Sequence, residues 1–188
     1  MSGAIVAGIF VGGRSSRMGF RPKGLLAAPD GVPIVLRTIA LARSVAAEVV
    51  LVGTNAAYAA IDVAVLADAA PDAGPLAALV SLLEHAGKRR AIAIACDMPR
   101  LTPELIARLA TEHDDAPIVA PRDGSRWSPL FARYDPARVL SAARERLESG
   151  AHSLQPLLDA MDARALVLDD EELRALVDWD RPEDIDRS

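Results

Sequence analysis

The sequence predicts an α/β protein: a doubly wound, mostly parallel sheet with an irregular C-terminal third. Two observations carry that expectation. Short apolar runs, bounded by glycine, proline or aspartate, alternate with segments of helical periodicity through the first two thirds of the chain. The short runs are apolar along their whole length, as strands are when helices cover both faces of a parallel sheet. Beyond about residue 125 the alternation loosens, so the last third is expected to depart from regular winding.

The elements follow in order. Gly3–Val11 is a first buried strand, stopped by Gly12-Gly13. Val32–Ala46 has apolar residues at helical spacing, with Pro33 in the first turn. Glu48–Gly53 and Val63–Asp68 are the second and third strands. Gly74–Gly87 is a helix that opens on Pro75 and stops at Gly87, and Ala91–Pro99 is a fourth strand with a polar tip. Thr102–His113 carries an N-cap threonine, Pro103 at the first helical position and Glu104 in the first turn. Ala116–Pro121 is a fifth strand. Arg126–Tyr134 reads as one further strand, antiparallel to its neighbours. Asp135–Gly150 is a helix capped by Asp135, residues 152–161 form a shorter one, Ala163–Asp169 is a strand, and residues 181–188 begin a terminal helix.

The chain has 188 residues, 51% of them hydrophobic, and a formal net charge of −5. That length suits one domain spanning 1–188 and buries roughly 70% of the unfolded surface without cross-links. The single cysteine, Cys96, excludes an intramolecular disulfide and a cysteine zinc knuckle. No apolar run reaches the roughly 20 residues that span a bilayer, and the N-terminus lacks the basic start of a leader. A cytoplasmic protein without a membrane is expected. The acidic balance argues against a nucleic-acid partner, which requires an extended basic face.

Ligands of doubly wound sheets bind beyond the carboxyl ends of the strands. Those ends carry Gly12-Gly13 and a basic loop (Arg14, Arg17, Arg21, Lys23), then Gly53, Asp68 and Asp97. Adjacent glycines let backbone N–H groups approach a phosphate, and arginine forks onto two oxygens. The loop has neither the spacing of a Walker A motif nor the dinucleotide fingerprint. Taken by itself it reads equally as a solvated turn, with Arg14 and Arg21 adding only field strength. Asp97 and Asp68 could each close a turn, and Asp180 could cap a helix beginning at Pro182. Cys96, Trp127 and Trp179 read as packing residues. The histidines, His85, His113 and His152, are scattered and show no catalytic pairing.

Several motifs in order shift the weight. "VGGRSSRMGFRPKGLL" resembles the L-A-G-G-x-S-x-R-M-G-x-x-K-x-L-L signature of the MobA-like nucleotidyltransferases. "AAPDAGPLAAL", "ACDMPRL", "SPLFARY" and "DWDRPEDI" resemble later segments of the same family, so the likeness spans essentially the whole chain. The resemblance implies a Rossmann-like nucleotidyltransferase fold and a Mg²⁺-dependent reaction. GMP would pass from GTP to molybdopterin, with pyrophosphate leaving. It implies catalytic roles for Arg17, Lys23 and Asp97. It implies substrate contacts from Phe10, Val11, Gly12, Gly13, Lys23, Gly53, Asp68 and Asp97, and metal ligands in Asp97 and Asp180. Accessory or acceptor enzymes of molybdenum cofactor delivery are the implied protein partners.

Four departures from the family pattern bear on these expectations. Phe10-Val11 replaces Leu-Ala before the glycines, a bulkier pair that would narrow the base pocket the resemblance implies. Pro22 replaces the aspartate before Lys23, and its stiffness would have to fix the lysine instead. Ala78 replaces a glycine. Asp178 and Asp180 replace asparagines, as in cytidylyl and related transferases, whereas Gly12-Gly13 resembles the guanine-selective members. A cytidylyltransferase using CTP, a transferase for another phosphorylated metabolite, and a non-catalytic nucleotide-binding module are therefore the alternatives.

Overall fold

The structure, a computed structural model, describes residues 4–12, 22–70 and 73–179. Eight strands among these residues join one sheet: β1 (Ile5–Phe10), β2 (Glu48–Val52), β3 (Val65–Leu66), β4 (Arg90–Ala95), β5 (Ile118–Asp123), β6 (Arg126–Trp127), β7 (Phe131–Tyr134) and β8 (Arg164–Leu166). The order is β3-β2-β1-β4-β7-β5-β6, with β8 alongside β5. The β3-β2-β1-β4 half is parallel throughout. The helices are α1 (Ile34–Arg43), α2 (Gly74–Ala86), α3 (Pro103–Thr111), α4 (Pro136–Glu148), α5 (Gln155–Ala160) and α6 (Asp170–Ala175).

The winding is double because successive side chains of each strand enter different cores. Val6 and Phe10 of β1, Val50 and Val52 of β2, and Ala91 and Ala93 of β4 face α2, α4 and α5. Ile5 and Ala7 of β1 and Ile92 and Ile94 of β4 face α3, while Ile9 and Leu51 meet Val35 and Ile39 of α1. On the α2 side the middle of the sheet is made of small residues, and this lets a leucine-rich helix sit close. A Cβ at Gly8 would lie 2.7 Å from a Leu82 methyl. The mostly parallel, doubly wound expectation holds. No helix among the described residues is long and apolar enough to cross a membrane.

The C-terminal third departs from simple winding in a specific way. Arg126–Tyr134 is not one strand. It is the short β6 and then β7, joined by a turn in which the Phe131 N–H donates to the Ser128 carbonyl at 3.1 Å. Strand β7 then runs antiparallel between β4 and β5, so the fifth strand never touches the fourth. The proline-containing turn ends one pairing and begins another. Helix α6 is an element for which the sequence carries no expectation. Its start is a capping box: Asp169 accepts from the Glu171 and Glu172 N–H groups, both at 2.9 Å, and Glu172 accepts from the Asp169 N–H at 3.1 Å. Several strand ends are trimmed by one to four residues against expectation, but β4 begins one residue earlier, at Arg90, and β5 runs two residues further, to Asp123; Pro33 precedes α1 as its N-cap. Residues 181–188, expected as a terminal helix, lie outside the described residues.

Candidate functional site

The strand order reverses between β1 and β4, and there the crossovers diverge: α1 leaves over one face and α2 returns over the other. A crevice at the carboxyl ends is the expected ligand site of such a sheet. The Val11 N–H donates to the Val52 carbonyl at 3.0 Å, and the Gly53 N–H to the Leu66 carbonyl at 2.9 Å, so the pairing runs to the very tips. Gly53 has φ +94°, and a Cβ there would stand 2.9 Å from Cα and N of Gly12. Only glycine meets both demands. The same point is 3.6 Å from Oδ1 of Asp68. Gly12, Gly53 and Asp68 thus share one floor of bare backbone with a carboxylate at its side. The Phe10 and Val11 side chains are buried on opposite faces of the sheet, Phe10 with the α2 core and Val11 with the α1 core.

Lys23 and Asp97, predicted as partners in the site, meet directly. Lys23 Nζ is 3.1 Å from Asp97 Oδ2, and the two side chains are only 15% and 16% exposed. Each sits on a fixed backbone. Lys23 opens a 3₁₀ turn, Lys23–Leu25, in which the Pro22 carbonyl accepts from the Leu25 N–H and the Lys23 carbonyl from the Leu26 N–H, both at 3.0 Å. Pro22 has φ −65°, the value its ring imposes, and contributes no side-chain cap. The Gly24 N–H donates to the Tyr58 hydroxyl at 3.1 Å. Asp97 follows β4 directly. The Cys96 N–H donates to the Phe10 carbonyl at 3.3 Å, and the Asp97 carbonyl accepts from the Trp179 N–H at 3.0 Å. The chain preceding Asp180 is therefore hydrogen-bonded to the backbone of Asp97.

Two aromatic or thiol groups beneath the pair stay neutral. Burial, and then the charge of Asp97, pushes the Cys96 thiol up to about 12. Burial likewise raises the Tyr58 hydroxyl. A thiol held protonated is no nucleophile, in keeping with Cys96 as a packing residue. Trp127 is buried, with Nε1 donating to Asp159 at 2.8 Å and the Arg122 guanidinium 4.7 Å from its ring centre. Trp179 packs on Ala28 and Ile34. The histidines are not all unpaired: His85 Nε2 is 2.8 Å from Glu48 Oε1, at the opposite end of the sheet. His152 Nδ1 lies 2.8 Å from the Ala73 carbonyl, which fixes the proton on that nitrogen.

A hard cation prefers oxygen ligands and often takes one or two carboxylates together with phosphate oxygens. The Asp97 carboxylate suits that chemistry. No group of three histidine, cysteine or acidic side chains among the described residues would hold a metal alone. Gly13, Arg14, Arg17, Arg21 and Asp180 lie outside the described residues. Sequence reasoning missed Tyr58, because a single tyrosine in an alanine-rich connection has no periodicity to mark it. It also missed Arg133, whose guanidinium donates to carbonyls at the end of α3.

The sequence profile of the MobA-like NTP transferase domain matches residues 7–165. A molybdenum cofactor guanylyltransferase of Pseudomonas putida (strain GB-1) is 34% identical over 181 residues, covering 93% of this chain and 92% of that protein. A probable molybdenum cofactor guanylyltransferase of Natronomonas pharaonis is 30% identical, covering all of this chain and 96% of the relative. Among solved structures, molybdopterin-guanine dinucleotide biosynthesis protein A from Archaeoglobus fulgidus superposes with a TM-score of 0.80 at 19% identity, covering 97% of this chain and 95% of that one. A nucleotidyl transferase from Methanothermobacter follows at 0.75 and 23%, covering 98% and 95%. The fold and the site define a nucleotidyltransferase. The chain belongs to the MobA-like NTP transferase family.

Proposed function

We propose that this protein is a Mg²⁺-dependent guanylyltransferase that transfers GMP from GTP to molybdopterin and releases pyrophosphate. The observation that carries the reading is the Lys23–Asp97 pair, 3.1 Å apart at the reversal point of the sheet, beside the floor of Gly12 and Gly53. The names of the relatives point to the same substrates.

An oxygen of the acceptor's terminal phosphate would attack the α-phosphorus of GTP as the bond to the bridging oxygen of the β-phosphate breaks. Pyrophosphate departs with that electron pair. The nucleophile belongs to the acceptor, so the protein needs neither a serine nucleophile nor a histidine base. Its residues position and compensate charge. The Lys23 ammonium would bind oxygens of the triphosphate and offset the charge that grows on the leaving group. Arg17 would fork onto the same chain of phosphates. Gly12, Gly13 and the Gly53 backbone would let the nucleotide lie against the strand tips, with Asp68 beside base or ribose. Asp97 and Asp180 would hold Mg²⁺, which when bound neutralises phosphate charge. We assign this work to one domain over residues 1–188 and to the cytoplasm.

The test is pyrophosphate release from each nucleoside triphosphate in the presence of molybdopterin. GTP is expected to support it and CTP is not. Release with CTP alone would replace the guanine assignment by a cytidylyltransferase, the reading that Asp178 and Asp180 favour. Release with a different phosphorylated acceptor would change the substrate and keep the chemistry. Tight Mg²⁺-independent GTP binding without turnover would indicate a binding module.

A further inference from the structure

Pro22 stands directly before Lys23 and supplies no side-chain cap to the turn. Something else fixes the turn that carries Lys23. We infer that Tyr58 is the positioning residue of the site, its hydroxyl tying the lysine turn to the aspartate-bearing end of β4. This inference rests on the nucleotidyl-transfer reading above.

Three contacts carry it. Tyr58 closes a 3₁₀ turn, Ala56–Tyr58, just after β2, and the Asn55 side chain caps that turn by accepting from the Ala57 N–H at 3.0 Å. The ring is 3% exposed and packs among Ile9, Val11, Val35 and Leu51, so it has one available orientation. Its hydroxyl accepts from the Gly24 N–H at 3.1 Å and stands 3.9 Å from the Cys96 sulfur. Across the sulfur contact either the hydroxyl or the thiol can donate. One oxygen therefore touches the neighbour of Lys23 on one side and the neighbour of Asp97 on the other. Glycine at 24 is part of the arrangement: a Cβ there would lie 3.0 Å from the Tyr58 oxygen and 3.1 Å from Val35 Cβ. A side chain would push the turn off the hydroxyl and carry Lys23 with it.

A tyrosine that merely filled the core would be replaced by phenylalanine without consequence for the lysine. Tyr58→Phe keeps the ring and removes the oxygen, leaving the buried Gly24 N–H without its acceptor. Turnover is expected to fall about tenfold with KM for GTP little changed, since a misplaced ammonium is felt most where charge develops. In a Lys23→Ala background the same change is expected to cost less than about twofold, because the group being positioned is gone. Equal losses in both backgrounds, or no loss in the native one, would overturn the inference. A substrate-free measurement separates this from the reaction itself. The Gly24 amide of the native protein is expected to exchange with solvent about a hundredfold more slowly than an open-loop amide, and Tyr58→Phe is expected to release it. Protection without any pyrophosphate release would keep the tether and sink the catalytic reading. An unprotected Gly24 amide would sink the tether even where turnover is normal, and even where the phenylalanine variant fails to fold.

Discussion

Lys23 and Asp97 are 74 positions apart in the chain and 3.1 Å apart in space. Neither is fully wet, so each offsets much of the other's desolvation, and removing one strands the other. Lys23→Ala is accordingly expected to lower turnover by about two to three powers of ten, the usual cost of losing one donor that meets developing charge; steady-state pyrophosphate release measures it. Both residues were legible in the sequence, because Asp97 follows a strand tip and Lys23 closes the basic loop after Gly12-Gly13, each in a recognisable motif. What holds them was not. Tyr58 acts through a hydroxyl that meets Gly24 and Cys96, and no local pattern in "TNAAY" announces contacts made 34 and 38 positions away. The role of Pro22 was half legible. Its fixed φ was foreseeable, but the turn needs an acceptor for Gly24, and a proline ring cannot be one.

At the scale of elements, α3 shows how a helix end can be held from across the sheet. Arg133 of β7 is 1% exposed and sends its guanidinium into the last turn of α3 and the loop beyond. Nη1 donates to the Leu109 and Ala110 carbonyls at 3.1 and 2.7 Å, and Nη2 to those of Glu112 and His113 at 2.7 Å each. These carbonyls have few partners within the helix, and a planar fork serves them where a lysine could not. Arg133→Met is expected to cost about 2–4 kcal/mol and to lower Tm by roughly 5–15 °C, read by calorimetry. A second tie joins β2 to the end of α2. Glu48 accepts from Arg89 at 2.5 Å and lies 2.8 Å from His85. The His85 hydrogen bond, then Arg89, holds its carboxyl below the ordinary 4.5. The folded form is therefore the stronger acid, and the stabilisation is present above the unfolded value and lost as pH falls through the folded one. A third of each side chain is exposed, so the gain is below about 1 kcal/mol. Urea titrations should show native protein and Glu48→Gln differing near neutrality and converging as the pH falls below the ordinary carboxylate range. Most elements were legible from periodicity and caps, as Thr102 and Asp135 show by accepting from Leu105 and Ala137. Helix α6 escaped because its capping box precedes a helix only six residues long, too short for periodicity to declare itself.

For the whole molecule, the parallel half followed from the apolar runs, and the candidate site residues were read from the strand tips and the basic loop, whereas the reversal of strand order at β1 was not legible. Nor was the placement of β7. Nothing in "FARY" distinguishes a strand at the margin from one wedged between β4 and β5, since the pairing with β4 joins segments remote in sequence. That wedge has a consequence for how the chain comes into being. Strand β4, apolar on both faces, completes the parallel half early in synthesis, yet the partner for its outer edge arrives only after α3, β5 and β6 have been made. Strand β5 cannot close the gap in the meantime, because it reaches the sheet through β7. A nascent chain therefore presents a bare, hydrophobic strand edge until Phe131–Tyr134 clears the ribosome. In that interval the protein is most exposed to mispairing with another copy of itself.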